Sequence, residues 1–304
     1  MDHSITGLRT ERSDLTDVLT ELAADLAARE RRLGDGLPTG TVLGIADCIE
    51  EVRSGWESGM RSMRSYPTIA AFEHLLGIQV REDVRTLLVA LDAKVIALDD
   101  IIDPEDPTRA EKVRSSVVVA FSTPLELGAV PPEHREEILE IQYEYWVVLS
   151  QLPLLEREMM DRMRGTDARD DLLDAAGSIY AYRSRDIDAF VEIVATTHEV
   201  DGALADPLLS DLRAFRARYL LYEDFRHIER DLAEGHQNPI IALMYAFDDP
   251  DEVTSTVEAL YDRFDYTAAG RDRYGDLLGE LERRPDDLGR LVRERMCVLS
   301  GGPS

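Results

Sequence analysis

The chain has 304 residues, of which 44% are hydrophobic, enough for a large domain with a sizeable core. Its formal net charge is −27, from 61 acidic and 34 basic residues, which excludes nucleic acid as a partner because like charges repel. The acidic residues are dispersed and the basic ones are almost all arginine, so we interpret the composition as the surface of a halophilic protein.

Cysteine content and hydropathy indicate the cellular location. Cys48 and Cys297 are too few for a disulfide framework, and their spacing matches no zinc pattern. The first residues lack the basic and then apolar run of a signal peptide. No apolar run reaches the roughly 18 residues that a membrane span needs. The sequence therefore predicts a cytoplasmic protein without a membrane span, and it leaves the formation of a homodimer open.

Hydrophobic periodicity is helical almost throughout, and alternating strand-like runs are nearly absent. This predicts an all-α fold. No linker interrupts the pattern, so we expect a single domain over residues 1–298, a large helical bundle with a central ligand cavity, and a disordered tail over 299–304. Helices are predicted, in chain order, over 10–33, 41–63, 68–76, 83–103, 109–121, 132–151, 154–164, 169–182, 186–200, 207–234 and 239–247, with two or three more over 251–297.

The predicted helix over 83–103 ends in an acidic cluster. Asp99, Asp100 and Asp103 form an Asp-Asp-x-x-Asp pattern, and Asp92 lies on the same face as two of them. Acidic residues at a helix C-terminus oppose the helix dipole, so they gain nothing structurally there. We therefore predict that the three coordinate Mg²⁺, which in turn binds substrate phosphates, although a solvated helix end is the alternative.

The same pattern occurs a second time, in Asp170, Asp171 and Asp174. This copy follows a Gly-Thr-Asp loop and opens a helix, where acidic side chains stabilise the N-terminal dipole. We predict that these residues are solvated or paired locally and that they hold no metal.

A second cluster of metal-capable side chains lies late in the predicted helix over 207–234. Glu223, His227 and Asp231 recur at i, i+4 and i+8, which stacks them on one helix face. We predict that they are metal ligands too. Imidazole suits softer metals than Mg²⁺, so Mn²⁺ is an alternative cofactor. Arg226 and Arg230 lie between them and suit salt bridges or diphosphate contacts.

Together these residues resemble the class I terpenoid synthase (isoprenoid synthase) superfamily, and the motif layout is closest to that of microbial terpene synthases. The resemblance covers residues 80–245. Asp99, Asp100 and Asp103 match the first motif of the family. The second family motif, Asn/Asp-Asp-x-x-Ser/Thr-x-x-x-Glu with a Gly and an Asn soon after, aligns with Glu223, Asp224, His227, Asp231, Gly235 and Asn238. The first, fifth and ninth positions therefore depart from the family pattern.

The resemblance also implies a diphosphate sensor. Terpene cyclases carry, upstream of the second motif, an arginine that binds the diphosphate and a nearby aspartate that couples binding to ionisation. Arg183, which lies 40 residues before Glu223, could fill this role with Asp186, or Arg185 could fill it with Asp188. Arginine suits phosphate because its planar fork binds in a bidentate manner. The alternative is a surface run of salt bridges.

The activity that the resemblance implies is that of a Mg²⁺-dependent lyase, which ionises an allylic prenyl diphosphate and releases diphosphate. The cation left behind needs a dry cavity lined by aromatic side chains. The candidates are Phe72, Tyr180 and Tyr219, with Trp56, Tyr143 and Trp146 behind them. Three alternatives stay open: a prenyl diphosphate synthase, a head-to-head prenyltransferase of the squalene/phytoene type, and a non-catalytic helical protein that retains the fold.

Overall fold

The structure is a computed structural model that describes residues 15–25, 27–28, 31–32, 45–57, 63–102, 130–235, 237–267 and 287–299. Every regular element within these residues is a helix, so the predicted all-α fold is confirmed. Among the described residues, no helix has both the length and the hydrophobicity that crossing a membrane requires, as predicted. The predicted helix over 109–121 and the residues 300–304 of the predicted tail lie outside the described residues.

The described helices follow the predicted order closely, with two differences, at Pro153 and at His227. We number them α1 (15–25), α2 (Ile45–Glu57), α3 (Ser65–Ala70, continued by a π-helical turn at Ala71–Leu75), α4 (Glu82–Ile102), α5 (Arg135–Arg164), α6 (Arg169–Arg183), α7 (Asp188–Thr197), α8 (Gly202–Arg226), α9 (Ile228–Glu234), α10 (Pro239–Ala246), α11 (Pro250–Arg263) and α12 (Leu288–Leu299). Short 3₁₀ turns at Pro132–His134 and Ser184–Ile187 precede α5 and α7.

The predicted break between residues 151 and 154 is wrong, because α5 continues through Pro153. A proline inside a helix removes one backbone donor and costs about 3 kcal/mol. Beyond it, Met159, Met160 and Met163 are all buried. Burial of each such side chain contributes about 1.5–3 kcal/mol, which is enough to offset the proline.

The predicted helix over 207–234 is interrupted once, at His227, where φ is −99° and ψ is 6°. The helical hydrogen bonds continue on both sides, from His227 N to the Glu223 carbonyl (2.9 Å) and from Asp231 N to the His227 carbonyl (2.8 Å). The interruption therefore separates α8 from α9 without ending the helical path of the chain.

The chain divides into two compact units, and we describe each by itself. The first comprises Met1–Ile141 and Phe190–Asp201, and the second comprises Gln142–Ala189 and Gly202–Ser304. The single domain over residues 1–298 stays a prediction.

In the first unit, α4 is the central element of the described part. Its apolar residues between Val84 and Ala93 are almost completely buried. Asp92 is also fully buried, and its carboxylate accepts hydrogen bonds from Ser65 N (2.9 Å), Ser65 Oγ (3.1 Å) and Arg64 Nη1 (3.0 Å). Asp92 thus satisfies the first backbone donor of α3, and it serves the structure rather than the acidic cluster at the end of α4.

In the second unit, the helices α6, α8, α10, α11 and α12 share one hydrophobic core, whose largest side chains are Tyr180, Phe225 and Tyr261. Gly177 leaves room for the Arg263 side chain of α11, because a Cβ at this position would lie 2.8 Å from Arg263 Nη1. The same nitrogen donates to Asp174 Oδ1 at 2.8 Å.

We expect Asp92→Ala to lower the free energy of unfolding by about 3–5 kcal/mol, because it leaves Arg64 and the first donor of α3 without their buried acceptor. Urea denaturation followed by circular dichroism would measure the change. Asp161→Ala is the matched control, since Asp161 forms an exposed ion pair with Arg164 at 3.0 Å. Such a pair contributes less than about 1 kcal/mol. Equal losses in the two variants would contradict the role given to Asp92.

Candidate functional site

The second motif lies where α8 ends, and the carboxylate of its residue Asp224 accepts hydrogen bonds from two side chains of α6. Tyr180 Oη donates to Asp224 Oδ2 at 2.7 Å, and Arg183 Nη1 donates to the same oxygen at 2.9 Å. Arg183 Nε donates to Glu156. The guanidinium of Arg183 therefore lies between two carboxylates, one from α5 and one from α8.

Burial determines the protonation of this network. Desolvation raises the pKa of Asp224 above its ordinary value, although the neighbouring Arg183 and the Tyr180 hydroxyl act in the opposite direction. Desolvation and the charge of Asp224 together raise the pKa of Tyr180 well above its ordinary value. Burial disfavours the charged form of Arg183, but Asp224 and Glu156 outweigh it and raise the pKa. Tyr180 thus stays a donor, and Arg183 stays a cation.

Asn238 ties the second motif to the following helix. Its Nδ2 donates to the Asp224 carbonyl (2.8 Å) and to Asp231 Oδ2 (2.7 Å). Its Oδ1 accepts from Ile240 N (2.9 Å) and Ile241 N (3.3 Å), which caps the N-terminus of α10. One buried amide therefore holds the ends of α8, α9 and α10 in place.

The predicted metal ligands of the second motif lie near one another but have protein partners. Glu223 Oε2 is 3.8 Å from His227 Nε2, and Glu223 Oε1 accepts from Arg226 at 3.5 Å. Asp231 is buried, and Arg230 approaches its second oxygen at 3.4 Å. The side chains of Arg226 and Arg230 are otherwise exposed, as phosphate contacts would require.

The described residues of the second motif do not by themselves fit a Mg²⁺ ion. No group of three or more metal-capable side chains converges within the part of the chain that the structure describes. Asp231 has both oxygens engaged, and His227 offers nitrogen where Mg²⁺ prefers oxygen. The backbones of Asp99 and Asp100 belong to α4, but their side chains and all of Asp103 lie outside the described residues. The metal role of the first motif stays a prediction.

The sensor hypothesis paired Arg183 with Asp186 and Arg185 with Asp188. Asp186 instead receives a bidentate ion pair from Arg216 of α8, at 3.0 and 2.7 Å. Asp188 accepts from Arg213 of α8 twice at 2.6 Å and from Arg185 at 3.3 Å. These aspartates therefore fasten the 3₁₀ turn and the first residue of α7 to α8, and the carboxylate partners of Arg183 are Glu156 and Asp224.

The other predicted residues occupy varied surroundings. Asp170 and Asp171 are exposed at the start of α6, and Asp174 pairs with Arg263, so these three are solvated or locally paired as predicted.

Three of the six aromatic candidates, Trp56, Phe72 and Tyr180, are buried. Tyr219 is half-buried beneath the Arg216 guanidinium, and Tyr143 is 70% exposed, which argues against a cavity role for Tyr143.

Glu156 is the residue of the network that sequence reasoning missed. It lies 27 positions before Arg183, and no periodicity links the two.

Comparison of the chain with protein-family models, curated proteins and solved structures finds no match. Because no related protein indicates a site, the candidate site is defined by the contacts of Arg183, Asp224 and Asn238 alone.

We expect Asn238→Ala to lower the free energy of unfolding by about 3 kcal/mol. About 1 kcal/mol comes from the lost helix cap, and the rest comes from the lost buried hydrogen bond to Asp231. Asn238→Asp keeps a capping oxygen but places a second carboxylate against Asp231, so it should also destabilise. Asp249→Ala is the control for a cap alone, because the Asp249 side chain accepts the Asp251 N–H at the start of α11 and no other donor among the described residues. Chemical denaturation measures all three, and a loss for Asn238→Ala no larger than the control would contradict the clamp.

We expect Tyr180→Phe to destabilise the protein more strongly as pH rises. The pKa of Asp224 is raised on folding, so the folded state holds a proton that the unfolded state loses first. The stability contribution of Asp224 therefore falls as pH rises from the ordinary aspartate pKa to the raised value. Without the hydrogen bond from Tyr180, the pKa of Asp224 in the folded state rises further. The loss of stability with pH therefore continues to higher pH.

The measurement is the free energy of unfolding of both proteins between about pH 4 and 8, where aspartate shifts of this kind act. Tyr182→Phe is the matched control, because Tyr182 Oη donates to a neutral acceptor, the Val148 carbonyl, at 3.3 Å. Its difference from wild type should not depend on pH. A constant difference for Tyr180→Phe as well would contradict the coupling to Asp224.

Proposed function

We propose that the protein is a metal-dependent class I terpene synthase, which ionises an allylic prenyl diphosphate and releases diphosphate. The observation that carries the proposal is the contact between Arg183 and Asp224. The resemblance implies Arg183 or Arg185 as the diphosphate sensor, and Arg183 Nη1 lies 2.9 Å from Oδ2 of Asp224, the second residue of the second motif. An isoprenoid-synthase-like bundle with a central cavity belongs to the same proposal.

In this proposal Arg183 stabilises the negative charge that develops on the leaving diphosphate. Glu156 and Asp224 keep the guanidinium charged, and Tyr180 fixes the carboxylate that orients it. Preorganised donors cost little reorganisation when the bond breaks. Arg226, Arg230 and Arg185 are exposed, and in this proposal they make further phosphate contacts.

Mg²⁺ or Mn²⁺ would neutralise the leaving group as a Lewis acid when bound. Asp99, Asp100 and Asp103 would hold it, with Glu223 and His227 as further donors and with Asp231 once its contact to Asn238 has opened. Phe72, Tyr180 and Tyr219 would shield the carbocation from water in this proposal. A prenyl diphosphate synthase or a head-to-head prenyltransferase would use the same ionisation with a different acceptor.

A second candidate is a non-catalytic helical protein that retains the fold. Two observations favour it. Arg183 is already balanced by two carboxylates, and the Asp231 carboxylate is buried and hydrogen-bonded by Asn238. Both arrangements are also what a purely structural polar network needs, since buried charges must be paired.

One incubation series separates these candidates. The full chain is incubated in high salt, with Mg²⁺ or Mn²⁺, with C10, C15, C20 and C25 prenyl diphosphates, each with and without isopentenyl diphosphate. A hydrocarbon or alcohol formed from one substrate alone supports the terpene synthase. A longer prenyl diphosphate indicates the elongating alternative, and a C30 or C40 product indicates head-to-head coupling. Absence of turnover with every substrate would favour the non-catalytic candidate.

We expect Asp99→Asn to lower the turnover found in that series by at least about 100-fold, because loss of a metal ligand removes an electrostatic contribution of this size. Asp170→Asn is the matched control, since Asp170 belongs to the second copy of the pattern and is exposed at the start of α6. Its activity should stay within a few-fold of wild type. Equal sensitivity of the two positions, in kinetics with saturating metal, would contradict the assignment of the first motif.

A further inference from the structure

A pocket of about 350 Å³ lies in the second unit, between the C-terminal end of α5 and the helix α10. Its volume falls within the range of small-molecule sites. Among the described residues that line it, Asn238 belongs to the second motif, and none belongs to the predicted catalytic or metal-binding residues. The described residues that line it are Met160, Met163, Arg164, Thr166, Gln237, Asn238, Ile241, Ala242, Tyr245 and Ala246.

The floor of the pocket is apolar. Met160 and Met163 from α5 and Ile241 from α10 are buried beneath it. Ala242 and Ala246 are one helical turn apart, and their small side chains leave the space that a larger residue would fill. Methionine side chains adapt to irregular partners, so this floor suits a flat or branched apolar group.

The rim is polar and consists mainly of donors. Arg164 is the one charged side chain among the described residues of the lining, and its ion pair with Asp161 is exposed. The exposed Gln237 amide makes no hydrogen bond to the described residues. Tyr245 is 67% exposed at the edge, an unusual position for a large aromatic side chain without a partner to cover it.

Charge determines which class of molecule fits. A cation would be attracted by the net charge of −27, but it would be repelled by the Arg164 guanidinium at the rim. An anion would gain at most about 1 kcal/mol from an exposed arginine. The net charge of −27 repels the anion over a longer range. An uncharged molecule is repelled neither by Arg164 nor by the net charge of the protein. It still gains from apolar burial, at about 25 cal/mol per Å².

We propose that this pocket is a binding site for a small uncharged organic molecule with an apolar body and one oxygen acceptor. The apolar body lies on Met160 and Met163, and Arg164 or Gln237 donates to the oxygen. The Nδ2 group of Asn238 donates to Asp224 and Asp231, so the pocket shares Asn238 with the second motif but does not rely on this donor. Binding here does not depend on the proposed lyase activity.

Methionine-methyl NMR tests the proposal on the full chain. The probes are 2-acetylnaphthalene, the anion 2-naphthoate and the cation 2-(aminomethyl)naphthalene, which share one aromatic body and differ in charge. Saturable shifts at the Met160 and Met163 methyl groups are expected with the ketone, with Met63 of the other unit unchanged as an internal reference. The ketone should bind at least about tenfold more tightly than either ion, as a difference of about 1.4 kcal/mol would give.

Ala246→Phe, which fills the pocket, should abolish the shifts, whereas Ala203→Phe at the exposed start of α8 should leave them unchanged. Circular dichroism verifies that both variants fold. The wild-type titration stands without them if Ala246→Phe does not fold. Shifts that are absent with all probes, or confined to other methionines, overturn the binding site. Equal or tighter binding of either ion overturns the assigned ligand class.

Discussion

The side chain of Asn238 is the interaction on which the described part of the candidate site depends. The end of α8, the helix α9 and the start of α10 meet at this one amide, which donates to the Asp224 carbonyl and to the Asp231 carboxylate and accepts from two backbone N–H groups. Every polar atom of the side chain is therefore used. Because each unsatisfied buried group would cost about 1–3 kcal/mol, the three helix ends have little freedom to separate.

A second constraint is the burial of carboxylates in a chain with an excess of acidic residues. Asp92 in the first unit and Asp224 in the second are each paired with an arginine, and each accepts from a further donor, Ser65 or Tyr180. Burial raises the pKa of both carboxyl groups. An arginine alone does not remove the desolvation penalty, so the additional donors are needed to hold the charge in place.

The same network limits what the second motif can do chemically. Arg183 is oriented and charged, as an anion-binding group must be, but two carboxylates already surround it. A diphosphate would have to displace at least one of these contacts, and a metal at Asp231 would have to displace the Asn238 amide. The proposed catalysis would therefore require a rearrangement of the polar network, whereas a structural role would require none.

Most helices follow from local pattern, because apolar periodicity, caps and breakers act over a few residues. Asn238 before Pro239 predicts the start of α10, and Gly235, with a φ of 72°, ends α9 as a left-handed C-cap. The exposed surroundings of Asp170 and Asp171 also follow from their place at a helix start. The continuity of α5 through Pro153 does not, since it depends on the burial of methionines about two and three turns further on.

The choice of the buried ion pairs was decided by tertiary structure. Arg183 pairs with residues 27 and 41 positions away, although Asp186 lies three positions from it in sequence. With 61 acidic residues in the chain, every arginine has many candidate partners, and sequence spacing does not rank them. The sequence by itself determined the helices and the residue types available for a site. Packing of the helices determined which charges are buried together, because only burial makes one pairing much stronger than its competitors.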